Sequence, residues 1–187
     1  MRKFILAAAV IALPASAALA DSYTIDPEHT FPNFAISHLG FSTMHGRFNK
    51  SSGKLSIDAA KKTGSVEIVI DATSVDTAHV KRDQHLKSPD FFNAAEFPEI
   101  KFKSTKVTFT GDKVTSVDGD LTIMKTTKPV TLAVTSMLCA VHAMSKKNVC
   151  GFDANTKIKR SDFGVNYALP AVGDEVALTL EVEAIKD

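Results

Sequence analysis

Thr30-Phe31-Pro32-Asn33-Phe34-Ala35-Ile36-Ser37-His38-Leu39-Gly40-Phe41-Ser42-Thr43-Met44-His45-Gly46-Arg47-Phe48 is the stretch that decides the fold. Apolar side chains recur at every second position, one histidine interrupts them, and glycine turns the chain. A strand written this way points Phe34, Ile36 and His38 to one side, an apolar wall with a single polar group on it. Rolled into a barrel, such a wall can hold a greasy molecule in water.

The same period of two recurs outward from this stretch. Val66, Ile68, Ile70 and Ala72 keep it, as do Val130, Leu132 and Val134. So do Phe152, Ala154, Thr156 and Ile158, and near the end Val176, Leu178, Leu180, Val182 and Ala184. These patterns predict antiparallel strands with one buried face. Weaker strands are expected over 22–25, 31–38, 41–49, 54–58, 98–109 and 114–124. In 98–109 the apolar phase slips from even (Ile100, Phe102) to odd (Val107, Phe109), which predicts a bulge near Ser104–Lys106. Ser52-Gly53, Gly111-Asp112 and Val172-Gly173-Asp174 read as turns between runs. Many short strands without repeats or linkers give one all-β domain, a sandwich or a barrel.

Residues 1–20 read as an export leader and are set aside. Arg2 and Lys3 precede the apolar run Phe4 to Leu13, and Ala18-Leu19-Ala20 supplies small residues for cleavage. The run is shorter than the ~20 residues a membrane span needs. The mature domain is therefore expected over 21–187, in the periplasm. Taking two basic residues off a chain of formal charge +1 leaves −1. A near-neutral chain lacks the basic footprint of a nucleic-acid binder, and stable membrane insertion is not expected. Cys139 and Cys150, an even pair in an exported chain, read as a disulfide. A redox or metal pair would want a two-residue gap or several histidines, and His142 alone leaves such a site incomplete.

One segment, 76–96, breaks the alternation. Asp76 can cap a first short helix, and Ser88-Pro89-Asp90 can start a second. Leu86, Phe91, Phe92 and Phe97 would be their apolar contacts in a strand-to-strand crossing.

Several polar residues invite a chemical reading. His38 on the apolar wall is expected to be a core histidine satisfied by an internal partner, or at most a contact for a ligand head group. His29 and His45 are expected to be unpaired. On a helix His79 meets Asp83, half of a catalytic triad, but no Gly-x-Ser-x-Gly nucleophile elbow accompanies them. Arg82 and Asp83 instead read as anchors of the helix. An arginine–carboxylate clasp between Arg82 or Arg160 and Asp83 or Asp162 would close the barrel. Twelve phenylalanines, no tryptophan and two tyrosines suit a hydrocarbon ligand better than a sugar.

The crossing segment also carries a resemblance. Thr73-Ser74-Val75-Asp76-Thr77 followed by Arg82-Asp83-Gln84-His85-Leu86-Lys87-Ser88-Pro89-Asp90-Phe91-Phe92 resembles the signature of the YceI-like family of exported bacterial proteins. Phe34 to Gly40, Gly46-Arg47-Phe48 (as a glycine-to-aromatic turn), Phe97 to Ser104, Gly119 to Ile123 with Thr127 to Val130, and Ile158 to Gly164 follow in the family's order. The resemblance implies an extended antiparallel lipocalin-like β-barrel of about eight strands with one or two short helices in the crossing. Its apolar interior would hold a polyisoprenoid or another long amphiphile, such as a quinone tail, with no catalytic cofactor and no metal. Candidate ligand contacts are Phe34, Ile36, His38, Phe48, Leu86, Phe91, Phe102, Leu121, Ile123 and Phe152. The competing readings are a lipid-modifying enzyme using His79 and Asp83, and a stress-related structural or partner-binding protein. A homodimer stays open. Two features depart from the family pattern: the cysteine pair, and Met124-Lys125-Thr126, which argues against a two-residue primed turn in the late hairpin.

Overall fold

Among the described residues, alternation along the chain becomes eleven strand segments in one antiparallel sheet. They are β1 (Asp21–Ile25), β2 (Phe31–His38), β3 (Ser42–Phe48), β4 (Ser51–Asp58), β5 (Thr63–Asp71), β6 (Val75–Asp76), β7 (Glu99–Thr110), β8 (Lys113–Ile123), β9 (Thr126–Val141), β10 (Asn148–Lys159) and β11 (Val172–Lys186). The structure, a computed structural model, describes residues 20–187, so the expected leader lies outside the described residues except for Ala20.

The strand order is β1-β4-β5-β7-β8-β9-β10-β11-β2-β3-β6, and β1 also pairs with β11. Eleven segments make eight staves, because β1 with β2, β3 with β4 and β5 with β6 each form one interrupted stave. The long β11 closes the barrel against both parts of the first stave. Val172–Glu181 pairs with β2, and Ala184–Lys186 with β1. Where that stave breaks, buried Thr30 keeps the seam shut. Its hydroxyl donates to the Glu183 carbonyl at 3.2 Å and accepts from the Glu183 N–H at 3.1 Å. At the end of the seam Asp187 accepts from Ser22 and Thr24, which hold its carboxyl down at about 2.

Several expectations are refined by the register. The β7–β8 pairing shifts between Ser104 and Lys106, where the apolar phase slips. Ser52-Gly53 lies inside β4 rather than in a turn. Gly53 has φ +154, and a Cβ there would meet the Glu67 carbonyl oxygen at 2.1 Å, so close backbone approach requires glycine. Val172-Gly173-Asp174 opens β11 as an irregularity of register. Gly46 is mid-strand in β3 and makes no turn. The doubtful late hairpin does form a two-residue turn. Ile123 pairs with Thr126, and Met124 takes φ +52 in the place where glycine is usual.

The β2–β3 tip breaks the same rule. Phe41 N–H donates to the His38 carbonyl at 3.0 Å across Leu39 (φ +53) and Gly40 (φ +72). Positive φ at both central positions is the pattern of a type I′ turn, which favours Asn or Gly at the first. Leucine there costs on the order of 1 kcal/mol.

One helix, α1 (Val80–Leu86), forms in the crossing. Its cap is His79, not Asp76. The His79 ring accepts from the Arg82 N–H, while Asp76 accepts from Ala78. The second helix expected after Ser88 is replaced by successive turns, and Asn93 at φ +44 reverses the chain. No described helix is long and apolar enough to cross a membrane.

Cys139 and Cys150 face each other across β9 and β10 and are joined in a disulfide. The bridge closes a loop of sequence separation 11, for which the chain-entropy estimate is about 3 kcal/mol. Substituting both cysteines by alanine is expected to lower unfolding free energy by up to about that amount in urea titration. The fold and the position of the denaturant-free spectrum are expected to stay unchanged.

Candidate ligand cavity

The inward residues of the staves do not meet across the barrel. They surround a cavity of about 360 Å³. Its wall is built from Phe34 and Ile36 of β2, Ile68 and Ile70 of β5, Ile100 and Phe102 of β7, Leu121 and Ile123 of β8, Val130 and Leu132 of β9, Ile158 of β10, and Val176 to Val182 of β11 at alternate positions. These are the period-two residues, so one sequence pattern supplies both the barrel and its lining. Lining residues on β11 extend from Val172 to Val182. At a rise of ~3.3 Å per residue and a tilt near ~40°, that is roughly 25 Å along the axis. The shape suits a long thin chain.

Two glycines keep the lumen open. A Cβ on Gly46 would lie 2.4 Å from the tip of the Phe34 ring, and one on Gly119 would lie 2.4 Å from the tip of Phe102. The tip of each ring therefore occupies the space that a side chain on the neighbouring strand would take, which only glycine leaves free. Neither glycine is readable as a cavity residue from one strand's sequence, because the overlap depends on register between two.

At one end the barrel is filled. Tyr23, Ile25, Leu55, Cys150 and Ala184 form a buried cluster, with Phe152 and Val182 packed on it. Phe152 is thus a correction. It sits on the inner side of β10, as its period predicts, but in the closed end rather than among the residues that line the cavity.

The other end is the mouth, and the crossing segment covers part of it. Leu86, Phe91 and Phe92 line the cavity from there. Phe92 meets Phe48 edge-on at 5.5 Å, and Phe48 meets Phe34 at 5.9 Å. His85, Phe91 and Tyr167 form a mutual edge-to-face trio with centroids 5.0 to 5.3 Å apart. The trio joins the crossing to the loop after β10. His85 also bonds Asp90 at 2.8 Å. The alternation does not single out Tyr167, which lies in a loop without period.

The polar candidates are placed differently from expectation. His38 lines the mouth but is exposed, and its ring has no hydrogen-bond partner among the described residues, so it is not a satisfied core histidine. Its strand ends there, at the rim. His29 is paired, with Asp26 at 2.8 Å, and that bond raises its pKa. The pair and Glu183 bring three potential metal-ligating atoms within 4.8 Å of one another; none of the three residues lines the cavity. His79 and Asp83 do not form a dyad. The His79 ring caps α1, and the Asp83 carboxylate accepts from the Thr77 N–H and hydroxyl. Arg82 donates to the Thr77 hydroxyl and carbonyl, so Thr77 is the point at which both residues anchor the helix.

No arginine–carboxylate clasp forms. Arg160 is buried and donates to four carbonyls, those of Gly173 (2.8 Å), Val165, Tyr167 and Val172 (2.9 Å each). Burial lowers its pKa, against the pull of Asp174. Asp162 is exposed and takes no part. Asp174 accepts from the Ser161 N–H and hydroxyl, which hold its carboxyl below the usual range. Arg160 thus gathers the loop bearing Tyr167 and Val172 over one side of the mouth.

The chain and its fold are similar to those of known proteins. The chain is 40% identical over 192 residues to a UPF0312 protein of Shewanella denitrificans, covering all of both chains. Its structure is similar to that of Burkholderia cenocepacia BcnA, with TM-score 0.73 and 26% identity over 85% of this chain and 98% of that one. A polyisoprenoid binding domain from Saccharophagus degradans shares the fold at TM-score 0.67 and 17% identity, over 88% and 98% of the two chains. The family model for the YceI-like domain matches residues 23–184. With nearly the whole described barrel inside that match, the chain belongs to the YceI-like family.

Proposed function

We propose that this protein is a non-enzymatic periplasmic carrier that holds one polyisoprenoid or similar long-chain amphiphile in its barrel. The observation that carries the reading is the unfilled cavity, apolar along its length and closed at one end. Each methylene moved there from water contributes ~0.8 kcal/mol before ordering costs, so a long tail binds without specific polar contacts. The polar groups with free hydrogen-bonding capacity, His38 foremost, belong to the mouth, which favours tail-in, head-out seating. The Saccharophagus degradans domain, a polyisoprenoid binder on the same fold, supports the ligand class, and the leader-like first twenty residues support export. The His79 and Asp83 geometry lends nothing to the enzyme reading.

Extraction of the protein purified from its native host, followed by mass spectrometry, tests this. One long-chain amphiphile per chain is expected. Recovery of no lipid, together with failure of delipidated protein to take up an added long isoprenoid, would overturn it.

A further inference from the structure

The large apolar side chains exposed among the described residues fall into two groups. Leu138, Val141 and Met144 belong to the β9–β10 hairpin, whose tip is at the closed end. Leu39, Phe41, Val80 and Tyr167 surround the mouth, on three separate pieces of chain. Phe41 is 89% exposed and Leu39 50%. Leu39 N–H donates to the Ala171 carbonyl, which joins the β2–β3 tip to the loop that carries Tyr167. Tyr167 is itself half exposed and half in the cavity wall. Val80 opens the helix whose Leu86 lines the same cavity. Exposed apolar side chains thus stand on the rim of a cavity whose own wall is mainly apolar.

The tip is also shaped against its own stability. Leucine occupies the first central position of a turn that asparagine or glycine would relax, and half of it remains exposed. The partner that fits is the one from which a water-insoluble chain must come.

We propose that the mouth docks on a lipid bilayer, with Leu39 and Phe41 entering the interfacial layer, so that a tail passes between membrane and cavity without crossing water. This rests on the reading of the cavity as a lipid site. Aromatic and aliphatic side chains on a loop tip partition into the headgroup boundary, and no spanning element is needed. A protein partner on the same rim is the alternative that the test must separate.

The test is flotation of the protein with vesicles of phosphatidylethanolamine containing a minority of phosphatidylglycerol. It compares the unmodified protein with the L39N/F41S variant. L39N relaxes the turn, so the variant is expected to melt no lower than the parent. Binding of the apolar dye N-phenyl-1-naphthylamine reports the cavity separately and is expected to be unchanged. Vesicle binding is expected to fall roughly tenfold or more in the variant. Equal flotation of the two proteins, or no flotation of the parent, overturns the docking proposal even if dye binding is retained. Absence of dye binding in the parent would instead count against the cavity reading on which docking rests.

Discussion

Gly46→Ala is expected to weaken binding of a long apolar chain by roughly 30- to 100-fold while leaving the barrel folded. The added methyl would lie 2.4 Å and 2.9 Å from two atoms of the Phe34 ring and 2.8 Å from the Thr77 methyl. Backbone is not among these contacts, so the ring gives way, and the space open to it is the lumen. A phenyl ring turned inward displaces about three or four methylenes of ligand, or about 2–3 kcal/mol. Overpacking itself should cost about 1–3 kcal/mol of stability. The Phe34→Ala background separates the two effects: without the ring, Gly46→Ala is expected to lose most of its effect on affinity. An equal loss in both backgrounds would show that Phe34 does not mediate it. Gly119→Ala is a poorer probe, because its Cβ would also meet the Lys103 carbonyl at 2.6 Å.

Arg160→Ala is expected to be the most destabilising single substitution at the mouth, by about 3–5 kcal/mol in urea titration. Four carbonyls lose their donor together, and the loop bearing Tyr167 loses its tie to β11. At about 2–4 °C per kcal/mol for a domain of this size, the melting temperature should drop by roughly 10 °C. Lysine should rescue little, since one ammonium cannot reproduce the planar fork that reaches carbonyls on both sides. A drop of less than ~1 kcal/mol would mean that the loop is held by its other contacts.

Period two made the barrel legible, because face is what it encodes. Phe34, Ile36, Phe102, Leu121 and Ile123 all lie on the side that their period assigns them and line the cavity. Depth along the axis is not encoded. Phe152 has the right face but the closed end, and His38 has the right face but the rim, where water reaches it. The phase slip at Ser104–Lys106 was readable as a bulge because apolar residues on both sides reported it. The glycine windows were not, since Gly46 under Phe34 exists only once β2 and β3 are in register. Charge suggested carboxylate partners for Arg160. The true acceptors are backbone carbonyls of a loop that curls around it, and side-chain identity carries no trace of them. The same holds for Thr77, a residue unremarkable in sequence that anchors both Arg82 and Asp83.

Chain length gives the most direct test of the central claim that an apolar tail fills the lumen. Delipidated protein would be titrated with a series of linear isoprenoid alcohols, in competition with the fluorescent dye. Affinity is expected to rise by about tenfold or more with each added unit, given ~0.8 kcal/mol per methylene before ordering costs. The rise should level off once the extended chain reaches roughly 25 Å, the span of the lined cavity. Affinity that does not change with chain length would contradict the account.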